Sequence, residues 1–161
     1  MLLDEEVFAV ILAVSVIASV VGLVYLLKPV ETEPFIALGL LGKDCLIGGY
    51  PKTVINNTRV ELCLFIGNYL GSPVYYQVRY KIASTPDQLP SNTTPSPLPT
   101  LSYWSGVLEN NANTTFRVEV PVYTTSDSNT TALVFELWTR SKEGWVYTGR
   151  WVHLYVNVTS W

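Results

Sequence analysis

The sequence predicts an all-β fold, an immunoglobulin-like antiparallel β-sandwich, preceded by one N-terminal transmembrane α-helix. Three observations predict it. Residues 7–27 carry no charged side chain, the apolar residues beyond them alternate every second position, and clusters of Gly, Pro, Asn, Asp and Ser cut that alternating region at short intervals. The chain therefore divides into a short cytoplasmic N-terminus (1–6), a transmembrane helix (7–27), a linker (28–33) and an extracytoplasmic β-sandwich domain (34–161).

The run over 7–27 is long enough, at about 1.5 Å per residue, to cross a hydrocarbon core of about 30 Å. A secretory leader opens with a basic segment and a shorter apolar stretch of roughly 7–15 residues. Here Asp4, Glu5 and Glu6 are acidic and the small residues Ala18 and Ser19 fall in mid-run, so the segment is read as an uncleaved single-pass anchor in the cell membrane. Ser15/Ser19 and Ala18/Gly22 follow the small-xxx-small spacing that lets helix backbones approach, which makes Ser15, Ala18, Ser19 and Gly22 candidates for helix packing. Lys28 alone follows the helix and no Lys or Arg precedes it, too small a bias to fix orientation.

Beyond Lys28-Pro29 the period is two. Val74, Tyr76, Val78, Tyr80 and Ile82 fall on one strand face, with Gln77, Arg79 and Lys81 expected on a solvated one. The same alternation marks Val60/Leu62/Leu64/Ile66, Phe116/Val118/Val120/Val122, Leu133/Phe135/Leu137 and Val152/Leu154/Val156/Val158. Shorter strands are expected near 35–41 and 101–108. Turn clusters such as Gly48-Gly49-Tyr50-Pro51, Gly71-Ser72-Pro73 and Lys142-Glu143-Gly144 separate about seven strands, enough for one core of two packed sheets. Residues 86–99 hold five of the ten prolines and cannot be a central strand. They read as a polyproline-like surface loop, or as a partner-binding loop.

Two features bear on compartment. Cys45 and Cys63, the only cysteines, are read as a structural disulfide, the alternative being two separately buried thiols. Five of the nine asparagines lie in N-x-[ST] triplets, at Asn56, Asn92, Asn113, Asn129 and Asn157, where chance would give about one or two. They are read as glycosylation acceptors, which places residues 28–161 outside the cell. The competing reading is that Asn and Thr simply share turns.

Asp4, Glu5 and Glu6 account for the net charge of −3, and the remaining ten acidic and ten basic side chains balance. A neutral outer domain offers no basic stripe for nucleic acid. His153 is the only histidine and no CxxC accompanies it, so neither a metal site nor a cofactor is expected. Catalytic residues are not expected either. His153 alternates with Trp151, Tyr155 and Asn157 away from the core, and Glu61, Glu119 and Glu136 read as solvated strand positions. The aromatics are more informative: Tyr75, Tyr123, Trp138, Trp151 and Tyr155 fall opposite the core residues, where flat rings with a polar edge suit a protein interface or stack on sugars.

Three segments read together carry a family resemblance: Phe35-Ile36-Ala37-Leu38-Gly39, then Gly49-Tyr50-Pro51, then Val60-Glu61-Leu62-Cys63-Leu64-Phe65-Ile66-Gly67-Asn68 leading into Tyr76-Gln77-Val78. With the closing Leu137-Trp138, Tyr147 and Arg150-Trp151-Val152-His153-Leu154-Tyr155-Val156-Asn157-Val158, the pattern over roughly 35–158 resembles the outer domain of the archaeal membrane-protein family known as domain of unknown function 1616. The resemblance implies an archaeal cell surface and brings no catalytic residue with it. The expected function is a non-catalytic, membrane-anchored envelope protein. Residues 7–27 contact lipid, and the glycosylated sandwich docks a protein partner, whether a subunit, a surface layer or a filament. The alternative is a carbohydrate-binding or accessory module of a membrane enzyme complex.

Overall fold

The computed structural model describes residues 4–30, 32–124 and 126–160. They belong to two compact units, Met1–Glu33 and Pro34–Trp161.

The first unit is the helix α1 (Glu5–Leu27), 23 residues and about 34 Å long. Its first internal bond runs from Phe8 N to the Asp4 carbonyl at 3.0 Å, and Glu5 and Glu6 occupy the first turn, where negative charge complements the helix dipole. It ends before Lys28, whose ψ of 119° is the extended conformation a following proline demands. Apolar side chains point outward on every side and none is buried. By length and composition this helix can cross a membrane.

The second unit is an all-β sandwich of two sheets. In chain order its strands are β1 (Phe35–Leu41), β2 (Thr53–Ile55), β3 (Thr58–Tyr69), β4 (Val74–Ala83), β5 (Ser102–Leu108), β6 (Ala112–Val122), β7 (Thr130–Ser141) and β8 (Gly144–Thr159), with one 3₁₀ turn at Pro86–Gln88. The smaller sheet has the order β1-β3-β6 and the larger β2-β8-β7-β4-β5. All pairings are antiparallel except β2 with β8, which is parallel over Thr53↔Asn157 to Ile55↔Thr159. β2 brings the strands among the described residues to eight, and the sequence, read as about seven antiparallel strands, does not announce it. Three residues are too few for any period to show.

The alternation decides the core. Leu62, Leu64, Ile66, Val118, Val120 and Val122 of the smaller sheet meet Val78, Tyr80, Leu133, Phe135, Leu137 and Val156 of the larger, each 3% exposed or less. Tyr80 bridges the sheets, its ring 5.1 Å from Phe135 and its hydroxyl donating to the Pro121 carbonyl at 2.7 Å. Burial holds that hydroxyl well above the ordinary tyrosine range. Asn68 is fully buried at the end of β3. Its Nδ2 donates to the carbonyls of Ser72 and Leu108 at 2.8 and 2.9 Å, and its Oδ1 accepts from Leu70 N, so one amide ties the β3–β4 turn to the end of β5. Cys63 alternates with Leu62 and Leu64 and so faces away from the core, where it is disulfide-bonded to Cys45 with the Cα atoms 5.1 Å apart. The bond staples the loop after β1 over the outer side of the smaller sheet.

Candidate functional site

The richest chemistry lies on the outer face of the larger sheet. The register aligns Val107 with Tyr75, Ser105 with Gln77 and Trp138, and Tyr103 with Arg79, Glu136 and Trp151. Below these come Lys81, Val134 and His153, then Ala83, Ala132 and Tyr155.

Part of this face is covered. Residues 84–101 cross it as a strap, and Leu89 and Leu98 pack on Ala83, Ala132 and Val134 to form a second, smaller apolar core. Beside that core lies an ion pair, Lys81 Nζ to Glu136 Oε2 at 3.0 Å, with side chains 6% and 0% exposed. Both ions bond the strap: Lys81 Nζ donates to the Ser96 carbonyl at 2.8 Å, and Ser96 N donates to Glu136 Oε1 at 2.6 Å. Ser96 Oγ donates to the Gln88 carbonyl, which folds the strap on itself, and Trp138 Nε1 donates to Glu136 Oε2 at 3.2 Å. Farther along, the Tyr147 hydroxyl donates to the Ser91 carbonyl at 2.6 Å. Burial, with the Glu136 charge second, pushes that hydroxyl up to about 12. Gly149 lies beneath the Asn92 carbonyl at φ +76°, where any Cβ would collide with it.

These contacts correct the expectation of a wet face. Gln77, Lys81 and Glu136 are buried, and Glu136 is a charge-paired anchor instead of a solvated strand position. The signal was present in β7, where Ala132 and Val134 alternate with Leu133 and Phe135, so that the strand is apolar on both faces. Glu61 and Glu119 are solvated as expected, in cross-strand pairs with Arg117 at 3.1 Å and Arg59 at 3.5 Å.

Beyond the strap the face is open and aromatic. Tyr75, Tyr103 and Val107 are 45%, 63% and 67% exposed. Tyr75 packs 5.1 Å from Trp145, and Trp138 lies 5.4 Å from Tyr147 with the Arg79 guanidinium 4.0 Å above its ring. Desolvation lowers the Arg79 affinity for its proton, an effect the Glu136 charge opposes. Along β8, Trp151, His153 and Tyr155 form a ladder with ring separations of 5.2 and 4.9 Å. Four of the five aromatics singled out in the sequence thus share this face. Tyr123 does not: it follows the last residue of β6 and is half-buried against the main core, where the next residue's amide, Thr124 N, donates to Asn56 Oδ1 at 3.1 Å. Tyr103 and Trp145 belong to the surface but escaped the sequence reading, since β5 and the β7–β8 hairpin mix apolar residues on both faces.

The acceptor asparagines are distributed unevenly. Asn56 N donates to the Thr159 carbonyl and Val158 N to the Asn129 carbonyl, so Asn56, Asn129 and Asn157 gather at one end of the sandwich, opposite the end where β1 begins. Asn92 is exposed on the strap and Asn113 is exposed near the start of β6. On α1, Ser15, Ala18, Ser19 and Gly22 share one exposed side. The two serine hydroxyls donate to carbonyls one turn back at 2.8 Å, and nothing lies within 4 Å of the position a Cβ on Gly22 would take. Among the described residues no three His, Cys, Asp or Glu side chains come together as a metal-binding group.

No family model matches the chain, and no curated protein matches it. Similar solved structures exist. The CARDB domain of a Pyrococcus furiosus protein is 14% identical, over 80% of this chain and 98% of that one, with a TM-score of 0.47. A β-glucosidase from Listeria innocua is 10% identical over 78% of this chain but only 16% of its own, with a TM-score of 0.43.

Proposed function

We propose that this protein is a non-catalytic, membrane-anchored component of the cell envelope, with α1 spanning the bilayer and the sandwich outside carrying glycans and docking a protein partner. One observation carries the docking: Tyr75 and Val107 stand exposed as a cross-strand pair on β4 and β5, with Tyr103 exposed on the same face opposite Arg79, Trp145 packed on Tyr75 and Trp138 between the two, all held on one sheet. Rings with a polar edge, clustered and preorganised, are the material of interface hot spots. The acceptor triplets and the disulfide favour the outer compartment.

The carbohydrate-binding alternative needs free ring faces, and here they are scarce. Arg79 covers Trp138, Arg140 lies 5.6 Å from the Trp145 ring centre, and Trp151 stacks on His153. The test is crosslinking in native membranes followed by mild-detergent purification and mass spectrometry, comparing the wild type with Tyr75→Ser/Tyr103→Ser/Val107→Ser. A partner crosslinked through β4 and β5 and lost in the variant is the expected result. Recovery of the chain alone, or equal capture by the variant, overturns the docking. Protease applied to intact cells should digest the sandwich; its survival overturns the outer placement.

A further inference from the structure

We infer that Asn157 carries an N-linked sugar whose first pyranose ring lies on Tyr155 and occupies the cleft between the strap and the β7–β8 pair. The inference rests on the outer placement of the sandwich proposed above. Asn157 and Tyr155 are two residues apart on β8, so both project from the same face, and both are exposed. Among the five triplets this one alone has an aromatic two positions before its asparagine; the others have Val54, Pro90, Asn111 and Asp127.

The space beside Tyr155 is shaped for one ring. A cleft of about 160 Å³ is bounded by Tyr155, Ala132, Pro86 and Leu89 on its apolar side and by the hydroxyl-bearing Ser128 and Thr130. That volume is well below the roughly 300–1,000 Å³ of pockets that take free small molecules, so a single tethered ring suits it better than a diffusing ligand. Thr130, on the wall of the cleft, donates from Oγ1 to Asn157 Oδ1 at 3.2 Å, which holds the amide next to a residue that lines it. His153 meets Tyr155 edge-to-face and engages at most one of the two ring faces, so a pyranose C–H face has the other. The triplet's hydroxyl residue, Thr159, is exposed too, whereas Thr131 of the Asn129 triplet is buried.

The modification is a glycosyl transfer. Asn157 Nδ2 attacks the anomeric carbon of a lipid diphosphate-linked oligosaccharide on a membrane transferase. The new C–N bond forms as the anomeric C–O bond breaks, the lipid diphosphate leaves with the bonding pair, and Nδ2 gives up one proton to the transferase.

The experiment uses the full-length chain isolated from native membranes as wild type, Tyr155→Ala, Tyr155→Phe and Asn157→Gln, each read by intact-glycopeptide mass spectrometry and thermal unfolding. The expected result is sugar on Asn157, with unfolding about 2–5 °C above Asn157→Gln, a gap that Tyr155→Phe keeps and Tyr155→Ala erases. A bare Asn157 beside other occupied triplets overturns this inference and leaves the outer placement standing. Five bare triplets overturn both. An occupied Asn157 whose stabilisation survives Tyr155→Ala overturns the cradle.

Discussion

At the scale of single residues, the pair Lys81–Glu136 makes the sharpest demand on the fold. Two opposite charges have left water together, and each is satisfied by the partner plus a backbone group of Ser96. Removing one leaves the other buried and unpaired, so Lys81→Met is expected to destabilise the full chain by about 3–5 kcal/mol. The double variant Lys81→Met/Glu136→Leu removes both desolvation penalties and should recover much of that loss, which denaturant titration in detergent would measure as non-additivity. Equal, additive losses would show that packing, not charge, holds the strap. Tyr147 makes a pH prediction. Its hydroxyl, ordinarily at 10.0, is pushed up to about 12 in the folded chain, so the folded state holds the proton more tightly. Its contribution is full below pH 10 and is lost as pH rises through about 12, when the donor to the Ser91 carbonyl disappears. Tyr147→Phe should flatten that part of the stability profile.

Among the elements, the strap and β7 depend on each other. Gly149 has the backbone of the left-handed region and has the Asn92 carbonyl against it, so Gly149→Ala meets both strain and collision. Amide exchange over residues 86–99 should rise at least tenfold in that variant while β3 and β6 stay protected; unchanged exchange would mean that the strap is held elsewhere. The same region shows what a sequence can and cannot disclose. Periodicity located β4 through Val74, Tyr76, Val78 and Tyr80, because apolar and polar side chains alternate along it even though Gln77 and Lys81 on its outer face are buried as well. It located β1 to the residue, and β5 one residue early. It misplaced Lys81 and Glu136, because polarity at alternate positions records only that a side chain differs from the core, not whether another segment covers it. Five prolines announced an irregular segment without saying where it docks. Tyr75, Trp138, Trp151 and Tyr155 were legible as one face since alternation fixes a face; Tyr123 was not, since it follows the strand's last residue.

For the whole molecule, the disulfide joins chemistry to compartment. Cys45 lies in the left-handed region at φ 59° within the loop after β1, and Cys63 lies on the outer side of the smaller sheet, so the bond fastens a loop whose tip, Leu46 and Ile47, is 70% and 89% exposed. That tip has few packing contacts of its own to hold it. A cross-link across 18 residues contributes about 3 kcal/mol by restricting the unfolded chain. For a domain of this size the loss translates into a fall in unfolding temperature of about 10 °C on reduction. The outer location proposed for the sandwich predicts that the bond is formed in living cells. Intact cells should therefore yield a chain that resists thiol alkylation until a membrane-impermeant reductant is added, after which two alkyl groups appear at Cys45 and Cys63. Alkylation without reductant would put the pair in a reducing compartment and turn the anchor around. Reduction that leaves the unfolding temperature unchanged would show instead that the turn bonds from Gly42 N to the Leu46 carbonyl and from Cys45 N to the Gly42 carbonyl, at 3.0 and 2.9 Å, suffice to hold the loop.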